Sequence, residues 1–265
     1  MYRLCLWHFS RRCLEWGRAV FGITGIKDIR AILKLYNDRG VPVRFTWTNS
    51  LLEEKHIYDT YCNLIMKEAD NGMNQVLVNR SVLEEYIRRQ YPGFKLISST
   101  TKRITGLDGL LEELNKDYFL VVLDYDLNHN EEVLSAIGKQ ADKVEILVNE
   151  ICYPGCPKRS EHYRQQSQMQ LEYDIDAAFP CPNKTRERKF EECKERPSFI
   201  SREQIREYVD RGFVNFKIVG RGMPMDFVKE SYLYYLVKDD SRAFIRNKMD
   251  STLNQFAQAM RKRKA

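Results

Sequence analysis

The sequence predicts an α/β protein of the TIM-like (β/α) barrel class, and three observations lead to this prediction. Short runs of Val, Leu and Ile alternate with stretches in which apolar residues recur at helical spacing. The repeat is regular, at roughly 20 to 28 residues per unit, which is typical of a parallel sheet covered by helices. Polar residues follow directly after most of the apolar runs. A flavodoxin-like open sheet is the structural alternative.

Six runs have the length and composition of buried strands: residues 41–48, 75–78, 95–98, 119–123, 144–148 and 214–219. A complete barrel has eight strands, and residues 1–22 sustain neither a helical nor a strand period, so we expect the barrel to be incomplete at its N-terminus. Helices are predicted at residues 28–39, 52–70, 82–90, 107–115, 130–139 and 202–210. The chain is divided into a lead-in (1–22), a barrel-like domain (23–225) with a cysteine-containing insert (152–200), and a C-terminal helical segment (226–265).

The composition is that of a soluble globular protein, with 265 residues of which 43% are hydrophobic and 30% charged. No run of about 18 apolar residues is present, which excludes a helical membrane span. Arginines interrupt the apolar patch near the amino terminus, so no signal peptide is expected and a cytoplasmic location is favoured. The net charge of +6 is compatible with an anionic substrate or RNA, although such an excess usually reflects only a solvated surface.

Ligands of parallel α/β folds bind at the carboxyl ends of the strands, and the polar residues at these ends are therefore site candidates. They are Asn49, Asn79, Ser99, Thr100, Asp124, Asn149, Glu150 and Arg221. We predict catalytic roles for three of them. Glu150 is a carboxylate beside a cysteine and is suited to act as a general base or to orient a substrate. Asp124 continues its strand directly, and Arg221, with Lys217, can bind an anionic group.

Four of the seven cysteines lie in one proline-rich window, at Cys152, Cys156, Cys181 and Cys193. Prolines 154, 157, 180, 182 and 197 predict little regular structure between them. Two of the thiols are in Cys-Pro pairs, which also occur at iron–sulfur ligands. Four thiolates suit a 4Fe–4S cluster or a tetrahedral zinc ion. The gap between Cys181 and Cys193 is too long for a second zinc knuckle, which favours the cluster, and unrelated or redox-active thiols are the remaining alternative. His162 could replace one ligand.

Other catalytic motifs are absent from the sequence. It contains no glycine-rich phosphate loop, no His-Glu-x-x-His zincin motif and no Gly-x-Ser-x-Gly elbow. The four histidines are scattered, so a serine triad cannot be argued from the sequence.

Five strand ends together resemble those of the collagenase-like U32 peptidase family, in the same order along the chain. They are the runs ending in Asn49, in Ser99-Thr100-Thr101, in Asp124-Tyr125-Asp126-Leu127, in Asn149-Glu150-Ile151-Cys152 and in Lys217-Ile218-Val219-Gly220-Arg221. The similarity spans about residues 24–225. Thr101 stands where the family usually has Gln, and Val219 where it usually has Glu. The family's opening Gly-Ala-Asp-Ala-Val-Tyr strand is not found in residues 1–22, and the first cysteine pair is more tightly spaced.

The resemblance implies a TIM-like barrel and, as in several members of the family, a 4Fe–4S cluster on Cys152, Cys156, Cys181 and Cys193. Such members take part in oxygen-independent hydroxylation of a quinone precursor or of tRNA, which makes tRNA or a small molecule the expected substrate class, together with a protein partner. Three hypotheses follow. The first is an iron–sulfur redox or hydroxylation enzyme, the second a peptidase as the family label implies, and the third a zinc-stabilised RNA-binding protein without catalysis.

Overall fold

The structure is a computed structural model and describes residues 5–7, 25–172, 174, 179–181, 188–220 and 222–262. Its centre is a parallel sheet of seven strands that lie side by side in the order of the sequence. The strands are β1 (Cys5–Trp7), β2 (Val43–Trp47), β3 (Gln75–Val78), β4 (Lys95–Ser98), β5 (Leu120–Val122), β6 (Val144–Leu147) and β7 (Asn215–Lys217).

The six predicted strands are all present, and β1 is an additional strand within the segment that the sequence left unassigned. Three residues are too few to show a strand period, which explains why β1 was missed. The sequential strand order is that of a (β/α) barrel and differs from the 2-1-3-4-5 order of the flavodoxin-like alternative.

Ten helices accompany the described strands: α1 (Ile26–Asn37), α2 (Thr60–Ala69), α3 (Ser81–Gln90), α4 (Leu107–Leu114), α5 (Glu131–Ile137), α6 (Arg159–Glu172), α7 (Phe190–Lys194), α8 (Arg202–Asp210), α9 (Met225–Leu236) and α10 (Arg242–Lys262). The predicted helices are confirmed, although α2 begins at Thr60 and the tail is split into α9 and α10. The prediction of little regular structure in the cysteine insert is wrong, because the prolines flank α6 and α7 and do not interrupt them. No described helix is long and apolar enough to cross a membrane.

The two faces of the sheet differ in chemistry. The outer face carries apolar residues such as Phe45, Val76 and Val121, which belong to the main core with the surrounding helices. The inner face has a smaller apolar cluster, formed by Leu77, Ile97, Leu120, Val122 and Leu147. Strand alternation places Arg44, Gln75 and Glu145 on this inner face as well, at paired register positions.

A contact across the inner face shows that the sheet is curled. Arg44 on β2 donates from Nη1 to Glu145 Oε1 on β6 at 2.5 Å, and from Nε to Gln75 Oε1 at 2.8 Å. In a flat sheet β2 and β6 would lie four strand spacings apart, roughly 19 Å, which no arginine side chain can span. The sheet therefore bends into a half-barrel. Among the described residues no pairing joins β7 to β1, and the fold is consistent with an incomplete TIM-like barrel.

Candidate functional site

Helix α6, from the cysteine insert, lies across the carboxyl end of the half-barrel. Its first residue, Arg159, contacts Asp124 after β5, and Ser167 contacts Asn49 after β2. Eight residues of α-helix rise about 12 Å, and three strand spacings measure roughly 14 Å along the sheet. The two distances agree for a helix that spans the mouth of a curled sheet. Arg159 and Ser167 are the buried residues of α6, and both are polar.

The amino end of α6 is held by a buried charge pair. Arg159 donates from Nη1 and Nη2 to the two carboxylate oxygens of Asp124 at 2.8 and 2.7 Å, and from Nη1 to Asp126 Oδ1 at 3.1 Å. Its guanidinium also lies 3.9 Å above the ring of Tyr125, and its Nε donates to the Tyr163 hydroxyl at 3.1 Å. Burial raises the pKa of Asp124, and the hydrogen bonds and charge of Arg159 oppose that rise. Asp124, predicted to face the substrate, thus has both oxygens engaged by α6.

The second attachment of α6 uses neutral groups. Asn49 is fully buried and donates from Nδ2 to the backbone carbonyl of Ser167 at 2.9 Å, while its Oδ1 accepts from the N–H of Leu51 at 2.9 Å. The Ser167 hydroxyl accepts from the N–H of Ser50 at 3.1 Å and lies 3.0 Å from the Ser50 hydroxyl. Asn49, a predicted strand-end candidate, therefore holds the cover of the barrel mouth.

The end of β6 carries Asn149 and Glu150, and the structure gives them different roles. Asn149 is buried and extends the pairing of β6 with the chain after β7, accepting from the N–H of Val219 at 2.6 Å and donating to its carbonyl at 3.0 Å. Glu150 is half-buried, and its Oε1 accepts from the N–H groups of Ile151 and Cys152 at 2.9 and 3.0 Å. Its Oε2 accepts no hydrogen bond from the part of the chain that is described. Arg221, the third predicted catalytic residue, lies outside the described residues.

Tyr125, Tyr163, Glu150 and Cys152 lie close enough to interact electrostatically near the amino end of α6. Burial raises the pKa of Tyr125, and the nearby Tyr163, Cys152 and Glu150 add to this rise. Burial also raises the pKa of Tyr163, with Glu150 and Cys152 acting in the same direction. Both tyrosines are therefore neutral hydrogen-bond donors at physiological pH. Glu150 is the predicted catalytic residue that the structure brings to this group.

Several buried polar atoms along the same edge have no hydrogen-bond partner. They are the hydroxyl oxygens of Thr48, Thr100 and Tyr125 and the amide oxygen of Gln165. Thr48 follows β2, Thr100 follows β4, Tyr125 follows β5 and Gln165 lies on α6. Buried polar groups are nearly always satisfied in proteins, so these unpartnered atoms at the strand ends and on the covering helix indicate a place for a polar ligand or water.

The predicted cysteine ligands are not brought together as a metal site. The described part of the chain contains no group of three or more His, Cys, Asp or Glu side chains placed to hold a metal ion. Cys193 is fully buried beside Phe190 and Phe227, and its thiol donates to the Phe190 carbonyl at 2.8 Å. Burial raises its pKa to about 12, so it is a protonated thiol in an aromatic cluster. Cys152, Cys156 and Cys181 are half-buried. Cys193 is thus a buried core thiol among the described residues, and the four-cysteine cluster stays a prediction.

Sequence reasoning missed Arg159, Ser167 and Tyr125. Tyr125 lies between the two aspartates that the sequence did single out, and a polar–aromatic–polar run at a strand end is a usable signal. No sequence signal pointed to Arg159, because its partner Asp124 lies 35 residues earlier in the chain. Polar anchors on an insert are visible only when the tertiary contact is known.

Comparisons with known proteins were made by sequence and by structure, and no family model matches the chain. The chain is 27% identical over 184 residues to an uncharacterized protease of Methanocaldococcus jannaschii. This match covers 67% of the chain and 54% of the other protein, so the chain spans about half the length of that curated relative.

Among solved structures, the fold is similar to that of the U32 peptidase Mk0906, with a TM-score of 0.55 and 18% sequence identity. The superposed region covers 84% of this chain and 94% of that structure. The structural likeness establishes the α/β half-barrel. The resemblance to U32 peptidases that the strand-end motifs predicted is confirmed as a similarity, because a solved U32 peptidase shares the fold and a protease is similar in sequence.

Proposed function

We propose that the chain is an enzyme that encloses a small polar substrate between α6 and the carboxyl ends of the strands. One observation carries this proposal, namely the unpartnered buried oxygens of Thr48, Thr100, Tyr125 and Gln165. An unsatisfied buried polar group costs about 1–3 kcal/mol. A substrate that supplies the missing partners would recover that cost on binding, so these atoms favour a polar over an apolar substrate.

The side chains at the amino end of α6 suggest how such a substrate is held. The neutral hydroxyl of Tyr125 is a hydrogen-bond donor for a carbonyl or carboxylate oxygen. Glu150 keeps one carboxylate oxygen available, since Oε1 alone is used by the backbone of the loop. A carboxylate beside neutral donors can accept or deliver a proton at a bound substrate. Arg159 is neutralised by Asp124, and its role is to position Tyr125 and α6.

Thermal unfolding of the full chain with a panel of amino acids, dipeptides, nucleosides and hydroxy acids tests this proposal. We expect at least one compound to raise the Tm of the wild type, with the increase lost in Tyr125→Phe and reduced in Glu150→Gln. Tyr58→Phe is the matched control, because Tyr58 is 63% exposed and its ring packs against Tyr86 on α3. If Tyr125→Phe and Tyr58→Phe respond equally to every compound, the site is not where we propose it.

The iron–sulfur hypothesis remains a prediction. It requires that the thiols of Cys152, Cys156, Cys181 and Cys193 converge on one cluster. Anaerobic purification followed by iron and zinc analysis and a visible absorption spectrum decides the question directly. A brown, iron-containing protein that is bleached by Cys152→Ala but not by Cys62→Ala would establish a cluster. A colourless protein without bound iron or zinc would remove both the cluster and the zinc alternative.

The peptidase alternative is kept as a hypothesis because the two similar proteins are named a protease and a peptidase. The site offers Glu150 and neutral tyrosines for it, without a nucleophile–base pair among the described residues. Cleavage of gelatin and of fluorogenic peptides, measured with and without a chelator and in Glu150→Gln, tests this alternative. Absence of turnover under all of these conditions removes it.

A further inference from the structure

Arg103 occupies an unusual position at the edge where α6 meets the sheet. It ends the short 3-10 turn Thr100–Lys102 that follows β4. Its Nη1 donates to the hydroxyl of Ser160, in the first turn of α6. The side chain therefore joins the β4 end of the barrel mouth to the helix that covers it.

The backbone of Arg103 is held in a conformation that costs energy. Its φ of 56° and ψ of 51° lie in the left-handed region, which residues with a Cβ rarely adopt. The preceding residue fixes the turn, because Lys102 Nζ donates to Glu113 Oε1 at 2.6 Å and to the Tyr118 hydroxyl at 2.7 Å. Such conformations persist where the surrounding structure imposes them, and they are concentrated at ligand sites.

The charge of Arg103 is not neutralised by a carboxylate. Lys102 is paired with Glu113, and Arg159 with Asp124, whereas no Asp or Glu of the described chain lies within ion-pair distance of Arg103. In addition, Arg103 Nε is buried and has no hydrogen-bond partner. The buried hydroxyl of Thr100, in the same turn, has no hydrogen-bond partner either. An anion is the partner that a guanidinium with an unused, buried N–H most readily accepts.

We propose that Arg103 binds an anionic group, a carboxylate or phosphate, of the substrate enclosed beneath α6. The planar guanidinium offers Nε–H and a terminal N–H in the parallel geometry that these anions accept with two oxygens. This inference rests on the enclosed site proposed above and specifies its substrate class as anionic. Because Ser160 shares the same guanidinium, a bound anion also stabilises the position of α6.

The test is thermal unfolding of the full chain, titrated with inorganic phosphate and separately with acetate, against sodium chloride at equal ionic strength. We expect a saturable rise in the Tm of the wild type that chloride does not produce. Arg103→Gly, which has no side chain and tolerates the left-handed backbone, should weaken anion binding by about tenfold or more, as expected for a lost charged hydrogen bond. Arg103→Lys should bind with intermediate affinity, because it keeps the charge but loses the planar fork.

The control is Arg206→Gly, an exposed arginine on α8. Equal responses of the wild type, Arg103→Gly and Arg206→Gly, or a phosphate and acetate response no larger than that of chloride, overturn the proposal. A stronger response to phosphate than to acetate identifies a phosphorylated substrate, and the reverse order a carboxylate. A Tyr125-dependent compound that still binds Arg103→Gly refutes the role of Arg103 and leaves the enclosed site intact. If an anion binds in a way that depends on Arg103, but no compound of the panel depends on Tyr125 for binding, the enclosed site is refuted instead.

Discussion

Two buried arginine–carboxylate pairs occupy opposite parts of the half-barrel and differ in what they connect. Arg44 and Glu145 join β2 to β6 on the inner face, and both side chains are almost completely buried. Arg159 and Asp124 are buried to the same degree but join an insert helix to the end of β5. The chemistry is the same in the two pairs, and the structural context is not.

The position of each pair in the fold determines whether its charges can be hydrated without global unfolding. Both strands of the inner pair are hydrogen-bonded to neighbours on each side, so the pair can be hydrated only when the sheet opens. The fully buried residues of helix α6 are polar, Arg159 and Ser167, and only Leu171 packs against the main core, so we expect α6 to detach more easily than the sheet opens. The comparison therefore separates a part of the chain that unfolds globally from one that opens locally.

The largest effect is expected from Arg44→Met. The substitution leaves Glu145 buried without its strongest partner, since Lys217 is 3.8 Å away. Removing one member of a buried pair typically costs about 3–5 kcal/mol of the free energy of unfolding. Urea denaturation measures this loss, and Arg30→Met, in an exposed pair with Glu68, is the control, with an expected loss below about 1 kcal/mol. Equal losses in the two variants would show that the inner pair has no special role.

A third buried carboxylate, Glu113 on α4, is hydrogen-bonded to Ser98 and Lys102 at the end of β4. It predicts that the stability of the protein depends on pH. Burial alone would raise its pKa, but hydrogen bonds from Lys102, Lys116 and Ser98 outweigh burial and lower the pKa to about 2. A lowered folded-state pKa stabilises the protein above pH of about 4.5, and this contribution is lost as the pH falls towards 2. The contribution at neutral pH is on the order of 2–3 kcal/mol.

Glu113→Gln should therefore flatten the stability profile between pH of about 5 and 2, as measured by urea denaturation at each pH. Glu112→Gln, its neighbour on α4, serves as the control and should retain the acid dependence of the wild type. A Glu113→Gln profile as steep as that of the wild type would mean that other carboxylates produce the acid sensitivity.

Arg159→Met should have a smaller global effect than Arg44→Met, about 1 kcal/mol, because the released Asp124 is hydrated when α6 opens. Its main effect is local. Amide hydrogen exchange in α6 should accelerate by about tenfold or more, while exchange in β2 to β6 changes little. Exchange that accelerates equally in α6 and in the strands would contradict the local opening of α6.

The smallest expected effects are changes in the free energy of unfolding of opposite sign, caused by removing the hydroxyl groups of two buried tyrosines. Tyr125→Phe removes a hydroxyl without a partner and should raise the free energy of unfolding by up to about 1 kcal/mol. Tyr235→Phe removes a hydroxyl that donates to the carbonyls of Val148 and Ile200 at 3.0 and 2.9 Å, and should lower the free energy by about 1 kcal/mol. Chemical denaturation of the two variants compares them directly, and a loss of stability in Tyr125→Phe would show that its hydroxyl is satisfied.

Much of the fold could be predicted because strands and helices leave local patterns in the sequence. The six longer strands and most helices followed from apolar periodicity, which reflects burial against a sheet whatever the exact partners are. The strand β1 gave no such pattern over three residues. In the insert, prolines mark boundaries, and the prediction of little regular structure is wrong because α6 and α7 form between them.

The sequence by itself determined the α/β class and the residues at the carboxyl ends of the strands, because alternation and composition are local properties of the chain. Only the tertiary structure decided what those residues do. It assigned Asp124 and Asn49 to the attachment of α6, buried Cys193 among aromatic rings, and left Glu150 and Arg103 with unused polar atoms. The physical reason is that burial and pairing of a polar group depend on partners tens of residues away, which no local pattern specifies.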